Sequence, residues 1–410
     1  MQNGFFGWRV VAGAFVLAVF GWGLGFYGPP VYLHAVREAR QWSVVLVSTA
    51  VTVHFLVGAV VVANLPALYR RFGLPAVTKA GAFLLALGIL GWAVAEQPWQ
   101  LLLATLLSGA GWVAMGAAAV NAIVAPWFVA RRPAALSMAY NGASIGGVVF
   151  SPLWVAAIAW LGFPVAATVI GIVMVAAIWL LADLVFARTP QNMGQVADGG
   201  VATASAMAAV SSAAALPGGL LWKDWRFLTL AAAMALGLFA QIGLIAHLFS
   251  LLVPALGDRM AGLLMGLATA SAIAGRTSFG WLMPPGSDRR LIACASHVVQ
   301  IAGSVALILA AGTDVVLLVA GVLLFGFGIG NTTSLPPLIA QIEFAKADVQ
   351  RVVPLIVAIG QGTYAFAPAA FGALRALSPA EATLVFVAAA LVQALAVAAF
   401  LAGRRPRSGG

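Results

Sequence analysis

The sequence predicts an all-α membrane protein, with twelve transmembrane helices in two six-helix, pseudo-symmetric bundles. Three observations carry that prediction. Of the 410 residues, 63% are hydrophobic and 8% are charged, whereas a soluble domain has roughly 25% charged residues. The apolar residues fall into runs long enough to cross a bilayer, which takes about 20 residues of helix. One long low-complexity stretch, "VADGGVATASAMAAVSSAAALPGG", divides those runs into six and six.

The runs cover 7–33, 43–68, 75–95, 100–128, 134–160, 164–187, 225–252, 260–283, 290–312, 315–341, 351–375 and 380–402. We number them spans 1 to 12. Gly and Pro recur within them, as membrane helices tolerate. Strands of a membrane barrel would be about 10 residues long and would alternate polar with apolar. Span 1 exceeds the apolar core of a signal peptide and is expected to stay uncleaved. The expected organisation is therefore a bundle at 1–187, a flexible linker at 188–224, a second bundle at 225–403 and a tail at 404–410.

The charges orient the spans. With the N-terminus in the cytoplasm, 16 of the 21 Lys and Arg residues face inward. Arg37, Arg40, Arg259 and Arg375 face outward, and Arg276 is left over. The positive-inside rule then places both termini in the cytoplasm. It also accounts for the net charge of +10 without a nucleic-acid partner. The single cysteine, Cys294, excludes an intramolecular disulfide and a cysteine-based metal cluster. No cofactor and no metal is expected. No Walker loop is present, so ATP is not the expected driving force.

The halves repeat each other weakly. A shift of 216 residues sets Phe128, Gly146, Phe150 and Pro152 on Phe344, Gly362, Phe366 and Pro368. A shift of 217 sets Trp8-Arg9 on Trp225-Arg226. With the six-plus-six layout this points to two parallel halves with a substrate site between them, near mid-membrane.

Arg276 stands inside the apolar stretch "ATASAIAGRTSFGWLMPP". A charge at the centre of a span costs about 2.5–3.5 kcal/mol on insertion scales. Arg276 falls about 7 Å to the cytoplasmic side of the middle of span 8, at 1.5 Å per residue. Every Asp and Glu falls in a loop or near a span end. The guanidinium cannot discharge, and its fork matches a carboxylate with two parallel hydrogen bonds. Arg276 is therefore the expected anion site. The competing role is snorkelling to the headgroups, or capping of backbone carbonyls. No second Lys or Arg lies at that depth, which favours a monoanion over a dianion. Residue 59, which is 217 residues earlier, is alanine.

Other polar residues near the membrane centre are His54, Gln241, Asn331, Gln361 and Tyr364. Asn121 and Tyr140-Asn141 lie toward the cytoplasm, and Tyr27 and His247 toward the outside. Each has an ordinary role as an interhelical hydrogen bond, worth roughly 0.6 kcal/mol. Tyr27, Asn121, Gln241, Asn331, Gln361 and Tyr364 are the candidate substrate contacts beside Arg276. Histidine titrates near neutrality, so His54 and His247 are the candidate proton carriers. Arg131, Arg132, Asp288 and Arg289 are candidates for tuning closure at the cytoplasmic face, or are simple topology determinants.

Several stretches carry a family resemblance: "GWRVV" (7–11), "WFVARRPAALSMAYNGASIGG" (127–147), "RTPQNMG" (188–194), "GFGIGNTTSLPPLIAQIEF" (326–344), and Gly275-Arg276 with Asp288-Arg289 after it. With the layout, these resemble the major facilitator superfamily, and within it the monocarboxylate transporter and oxalate/formate antiporter branch. The resemblance spans nearly the whole chain. It implies that Arg276 binds a substrate carboxylate and that the membrane is a bacterial inner membrane. Ala130 departs from the branch's basic residue. Arg70, in "PALYRRFG", departs from the acidic residue of the family's loop between spans 2 and 3. Span 11 has no central lysine, where oxalate exchangers have one.

The expected function is secondary active transport of a lactate- or pyruvate-like monocarboxylate by alternating access, coupled to a proton, by a monomer and not an enzyme. The rivals are a proton-independent anion exchanger, a drug-efflux transporter and a non-transporting receptor.

Overall fold

A computed structural model of the chain describes residues 5–129, 131–199, 221–281, 287–377 and 382–404. Ala130, the middle of the expected linker, the tail beyond 404, residues 282–283 of span 8, and Glu381 lie outside these residues. The described residues contain helices and turns and no strand. They form two compact units, Met1–Val210 and Ser211–Gly410.

In the first unit, span 1 comprises Gly7–Gly25 and Gly28–Arg40, and span 2 is Val44–Phe72. Span 3 is Leu74–Val94, and span 4 comprises Pro98–Val113 and Ala117–Val124. Span 5 is Arg132–Leu161, and span 6 is Phe163–Leu181 with a π turn over Ala182–Phe186. In the second unit, spans 7 and 8 share the run Trp225–Trp281. Span 9 is Arg289–Leu309 and span 10 is Val315–Glu343. Span 11 comprises Lys346–Tyr364 and Ala367–Leu377, and span 12 is Thr383–Ala402.

Among the described residues, eleven helical stretches are long and apolar enough to cross a membrane. One of them, Trp225–Phe279, has 55 residues, which at 1.5 Å each is more than twice the hydrocarbon thickness. It breaks at Gly257, whose φ of 71° and ψ of 163° are non-helical. That left-handed φ is open to glycine at no steric cost. Gly257 thus separates spans 7 and 8 in one residue, where the sequence suggested a loop of several.

Local chemistry sets the other ends. The Ser43 hydroxyl accepts from the Leu46 amide at the start of span 2 (3.2 Å), satisfying one of the free amides of a first turn. Asp314 caps span 10 in the same way through the Leu317 amide (3.0 Å). Spans 1, 4 and 11 are each interrupted near their middle, at Phe26-Tyr27, 114–116 and Ala365-Phe366. Pro29 and Pro30 sit in the first turn after the break in span 1, where a missing amide does no harm.

Helix association in lipid lacks a hydrophobic drive, so close approach at small residues holds the spans together. In the first unit, Gly142 and Gly146 of span 5 lie against the Phe15 and Val19 carbonyls of span 1. Gly109 of span 4 lies against the His54 carbonyl of span 2. The residue 217 positions after Gly109 is Gly326 of span 10, and it lies against the Ala268 carbonyl of span 8. The internal repeat is therefore a repeat of helix crossings as well as of residues. The outward faces are apolar, with Trp160, Ile172, Val316 and Leu391 well exposed.

Candidate functional site

Spans 8 and 10 run parallel through a seam of small residues. Gly326 meets Ala268, Gly330 meets Ala272, and Gly275 meets the Phe327 carbonyl. The Ser271 hydroxyl donates across the same seam to the Leu323 carbonyl (2.9 Å). Arg276 follows Ala268 and Ala272 at intervals of four residues, so all three lie on the face turned to span 10.

Its guanidinium lies beside Gly330. A methyl group at residue 330 would stand 3.0 Å from Nε and 3.2 Å from one Nη. Gly330 is at the centre of Val315–Glu343, while the Arg276 backbone is nearer the end of span 8. Helical side chains lean toward the N-terminus of their helix. The Arg276 stem therefore carries the charge back from the edge of its span to the middle of span 10. Asn331 is the next residue and is buried, and its side-chain Nδ2 makes no hydrogen bond among the described residues.

Spans 7 and 11 are also parallel. Gly360 packs against Leu238 and Met234, and the His247 ring bonds the Pro368 carbonyl through Nε2 (3.0 Å). This register sets Gln241 and Tyr364 at one level. Gln241 is 2% exposed, and its Oε1 makes no hydrogen bond among the described residues. Gln361 and Tyr364 are half-buried. The structure thus brings Arg276 to Gly330, the residue before Asn331, and Gln241 to the level of Tyr364.

In the first unit, His54 is fully engaged. Its Nε2 donates to the Gly25 carbonyl (2.9 Å) and its Nδ1 accepts from the Ser108 hydroxyl (2.8 Å). Trp92 donates to the same hydroxyl (3.2 Å). These bonds tie spans 1, 2, 3 and 4 together. Adding a proton to Nδ1 would require the serine to turn its hydrogen elsewhere. Asn121 bonds the Tyr140 hydroxyl, which donates to the Ala117 carbonyl (3.0 Å). Tyr27 is buried at the break in span 1, edge-on to Phe26. Arg132 donates to the Phe128 and Ala125 carbonyls (2.9 and 3.0 Å), and Arg131 to Asp198. Arg132 thus closes off the chain between spans 4 and 5, and Arg131 ties it to the segment after span 6.

At the end of the second unit where span 12 finishes, charges gather round a cavity of about 270 Å³. Arg290 is 2% exposed. It grips both oxygens of Glu343 (2.6 and 2.8 Å) and donates to the Arg226 and Phe400 carbonyls. Arg289 donates to the Leu338 carbonyl (2.7 Å). Asp288 caps span 9 through the Arg290 and Leu291 amides and receives Arg404 Nε (2.5 Å). Burial raises the Asp288 carboxyl, but Arg404 and the two amides outweigh it and hold it below the ordinary range. The Arg226 fork holds Asp224 down likewise.

Sequence reasoning passed over the buried polar array of spans 9, 10 and 12. Gln393 donates to Gln300 (3.1 Å), and Gln300 donates to the Thr332 hydroxyl (3.2 Å). His297 lies one turn from Gln300, and all four residues are buried. The available signal was the spacing of His297, Gln300 and Ser304 on one helical face. Arg290, at the first position of span 9 by sequence, lies inside the bundle.

A chain of twelve apolar spans is built as a polytopic membrane protein. Residues 10–368 match the Major Facilitator Superfamily family model, and the chain belongs to that superfamily. It is an integral membrane protein of the transporter class. No curated protein matches it. Among solved structures it is similar to a mutant form of the nucleoside transporter NupG. The TM-score is 0.74 at 13% identity, over 97% of this chain and 100% of that one. At this identity the likeness concerns the fold alone.

Proposed function

We propose that this transporter is a proton-coupled symporter of small monocarboxylates, lactate- or pyruvate-like, working by alternating access. The observation that carries the reading is the Arg276 guanidinium held beside Gly330, at the centre of span 10. A permanent cation at that depth suits an anionic substrate, and its fork suits a carboxylate. A neutral nucleoside gives such a cation no counter-charge. Every other described Lys or Arg of the second unit stands at or near a span end, which favours one negative charge over two.

Asn331, the residue after Gly330, and Gln241 with Tyr364 and Gln361 supply hydrogen bonds for the rest of the substrate. The ion-pair cluster around Asp288 and Arg289, and the Arg131-Arg132 pair, stiffen the cytoplasmic ends. The protein acts as a monomer in a bacterial inner membrane, with both termini inside. Proton-independent anion exchange is the second reading, favoured by the same cation.

Uptake of labelled lactate, pyruvate and uridine into proteoliposomes, with and without an inward proton gradient, tests this. Wild type accumulates the acids with the gradient and excludes uridine, and Arg276→Ala takes up none of them. Acid uptake only into anion-loaded vesicles selects exchange. Uridine uptake without acid uptake sinks the proposal.

A further inference from the structure

His297 is 2% exposed and lies among spans 7, 9, 10 and 12. Its Nδ1 bonds the Ala293 carbonyl (2.9 Å). A carbonyl only accepts, so Nδ1 carries the hydrogen and Nε2 keeps the basic lone pair. Nε2 makes no hydrogen bond among the described residues. It fills a notch in span 7, where a side chain at Gly237 would begin 2.4 Å from it. The Phe400 ring covers another side (centroids 5.5 Å apart). A buried basic nitrogen held without a hydrogen bond calls for a reason. A purely structural side chain there needs no titrating group.

The position of the array relative to Arg276 supplies that reason. Gly330 touches Arg276, and Thr332, two residues on, receives Gln300. Two residues are about 200° round a helix, so span 10 stands between the guanidinium and the polar array. That separation is about one helix diameter, roughly 10 Å. At an effective dielectric constant near 20, a unit charge at ~10 Å changes a proton affinity about tenfold. Of the other charges on the packed elements, Arg290 stands about 10 Å from His297, two turns along span 9, Arg289 donates to the Leu338 carbonyl, Asp314 caps span 10 and Arg404 holds Asp288. Arg290 of span 9 holds Glu343 of span 10, and Arg226 of span 7 holds Asp224. Cys294 of span 9 bonds the Val397 carbonyl of span 12.

We infer that His297 carries the co-transported proton and that Arg276 and His297 form one coupled anion–proton site within the second unit. This rests on the reading of the chain as a proton-coupled carboxylate carrier. With the site empty, the Arg276 charge disfavours a proton on His297. A carboxylate docked on Arg276 cancels that charge, and the proton then binds. By linkage the proton favours the anion by the same factor. Neither ligand is held well alone, which is the condition for carrying both together.

The test is nitrogen-15 histidine NMR of the full-length protein in lipid nanodiscs, titrated from about pH 5 to about pH 9. The His297 signal is assigned as the one lost in His297→Gln. Arg276→Gln is expected to raise the proton affinity of His297 about tenfold. Saturating lactate is expected to do the same in wild type and nothing in Arg276→Gln. A His297 that never titrates, or that ignores Arg276→Gln, overturns the inference. A response to Arg276→Gln without a response to lactate upholds the pair and rejects the monocarboxylate. Transport gives a second readout should Arg276→Gln not fold. His297→Gln is expected to raise the KM for lactate counterflow about tenfold, to remove its pH dependence and to lose proton-driven accumulation about tenfold. Retained accumulation overturns the inference.

Discussion

The Arg276 side chain occupies the space that any side chain at residue 330 would need, with Nε 3.0 Å from the place of a Gly330 methyl. One residue is thus seated by the smallness of the other. Gly330→Ala is expected to press on both the guanidinium and the Ala272 carbonyl of span 8, which stands 2.9 Å from the same point, so the arginine is displaced and the seam of spans 8 and 10 is loosened. Misplacing a binding group by about 1 Å can cost about 100-fold. The expected result is a rise of about tenfold or more in the KM for lactate uptake, with a melting temperature lowered less than in Gly275→Ala. An unchanged KM would detach Arg276 from the substrate.

The seam itself has a different sensitivity. A Cβ at Gly275 would stand 1.8 Å from the Phe327 carbonyl, whereas one at Gly362 would meet nothing within 4 Å. Gly275→Ala must therefore part spans 8 and 10, at about 1–3 kcal/mol for overpacking. Gly362→Ala is expected to leave stability level or slightly higher, as alanine favours helix. Thermal unfolding in detergent, followed by tryptophan fluorescence, separates the two. Equal melting temperatures would contradict the close approach.

His54 holds four spans through Gly25, Ser108 and, behind the serine, Trp92. His54→Ala leaves buried partners unsatisfied and is expected to cost about 1–3 kcal/mol. Its uptake is expected to keep the wild-type pH dependence. A flattened pH profile with unchanged stability would make His54 the proton carrier instead.

The ion pair of Asp288 with Arg404 predicts an acid limit. The folded carboxyl is held below its unfolded value. Its contribution is therefore fully present above the ordinary carboxylate range and is lost as the pH falls through the folded value. Asp224, held down by Arg226, behaves alike. Melting temperature is expected to fall on acidification below that range, and less steeply in Asp288→Asn. Identical slopes in the two proteins would show that this carboxylate contributes nothing.

The twelve spans, the tight turns and Arg276 could all be read from the sequence, because lipid imposes length and apolarity on each helix locally. The break at Gly257 could not, since a glycine in an apolar run reads equally as helix interior or turn. Nor could the burial of Arg290, whose position beside Asp288-Arg289 is that of a loop charge. Its partner Glu343 is 53 residues away.

Composition and order along the chain were enough for the class of protein, the two sets of spans and the position of Arg276 inside an apolar run. Three features came from packing instead. The charge reaches the centre of span 10, His54 is tied by both ring nitrogens, and the basic nitrogen of His297 lies in the notch at Gly237. Each of these depends on which helix faces meet. Close approach at glycines sets those faces, and a largely apolar sequence offers many registers of similar hydrophobicity.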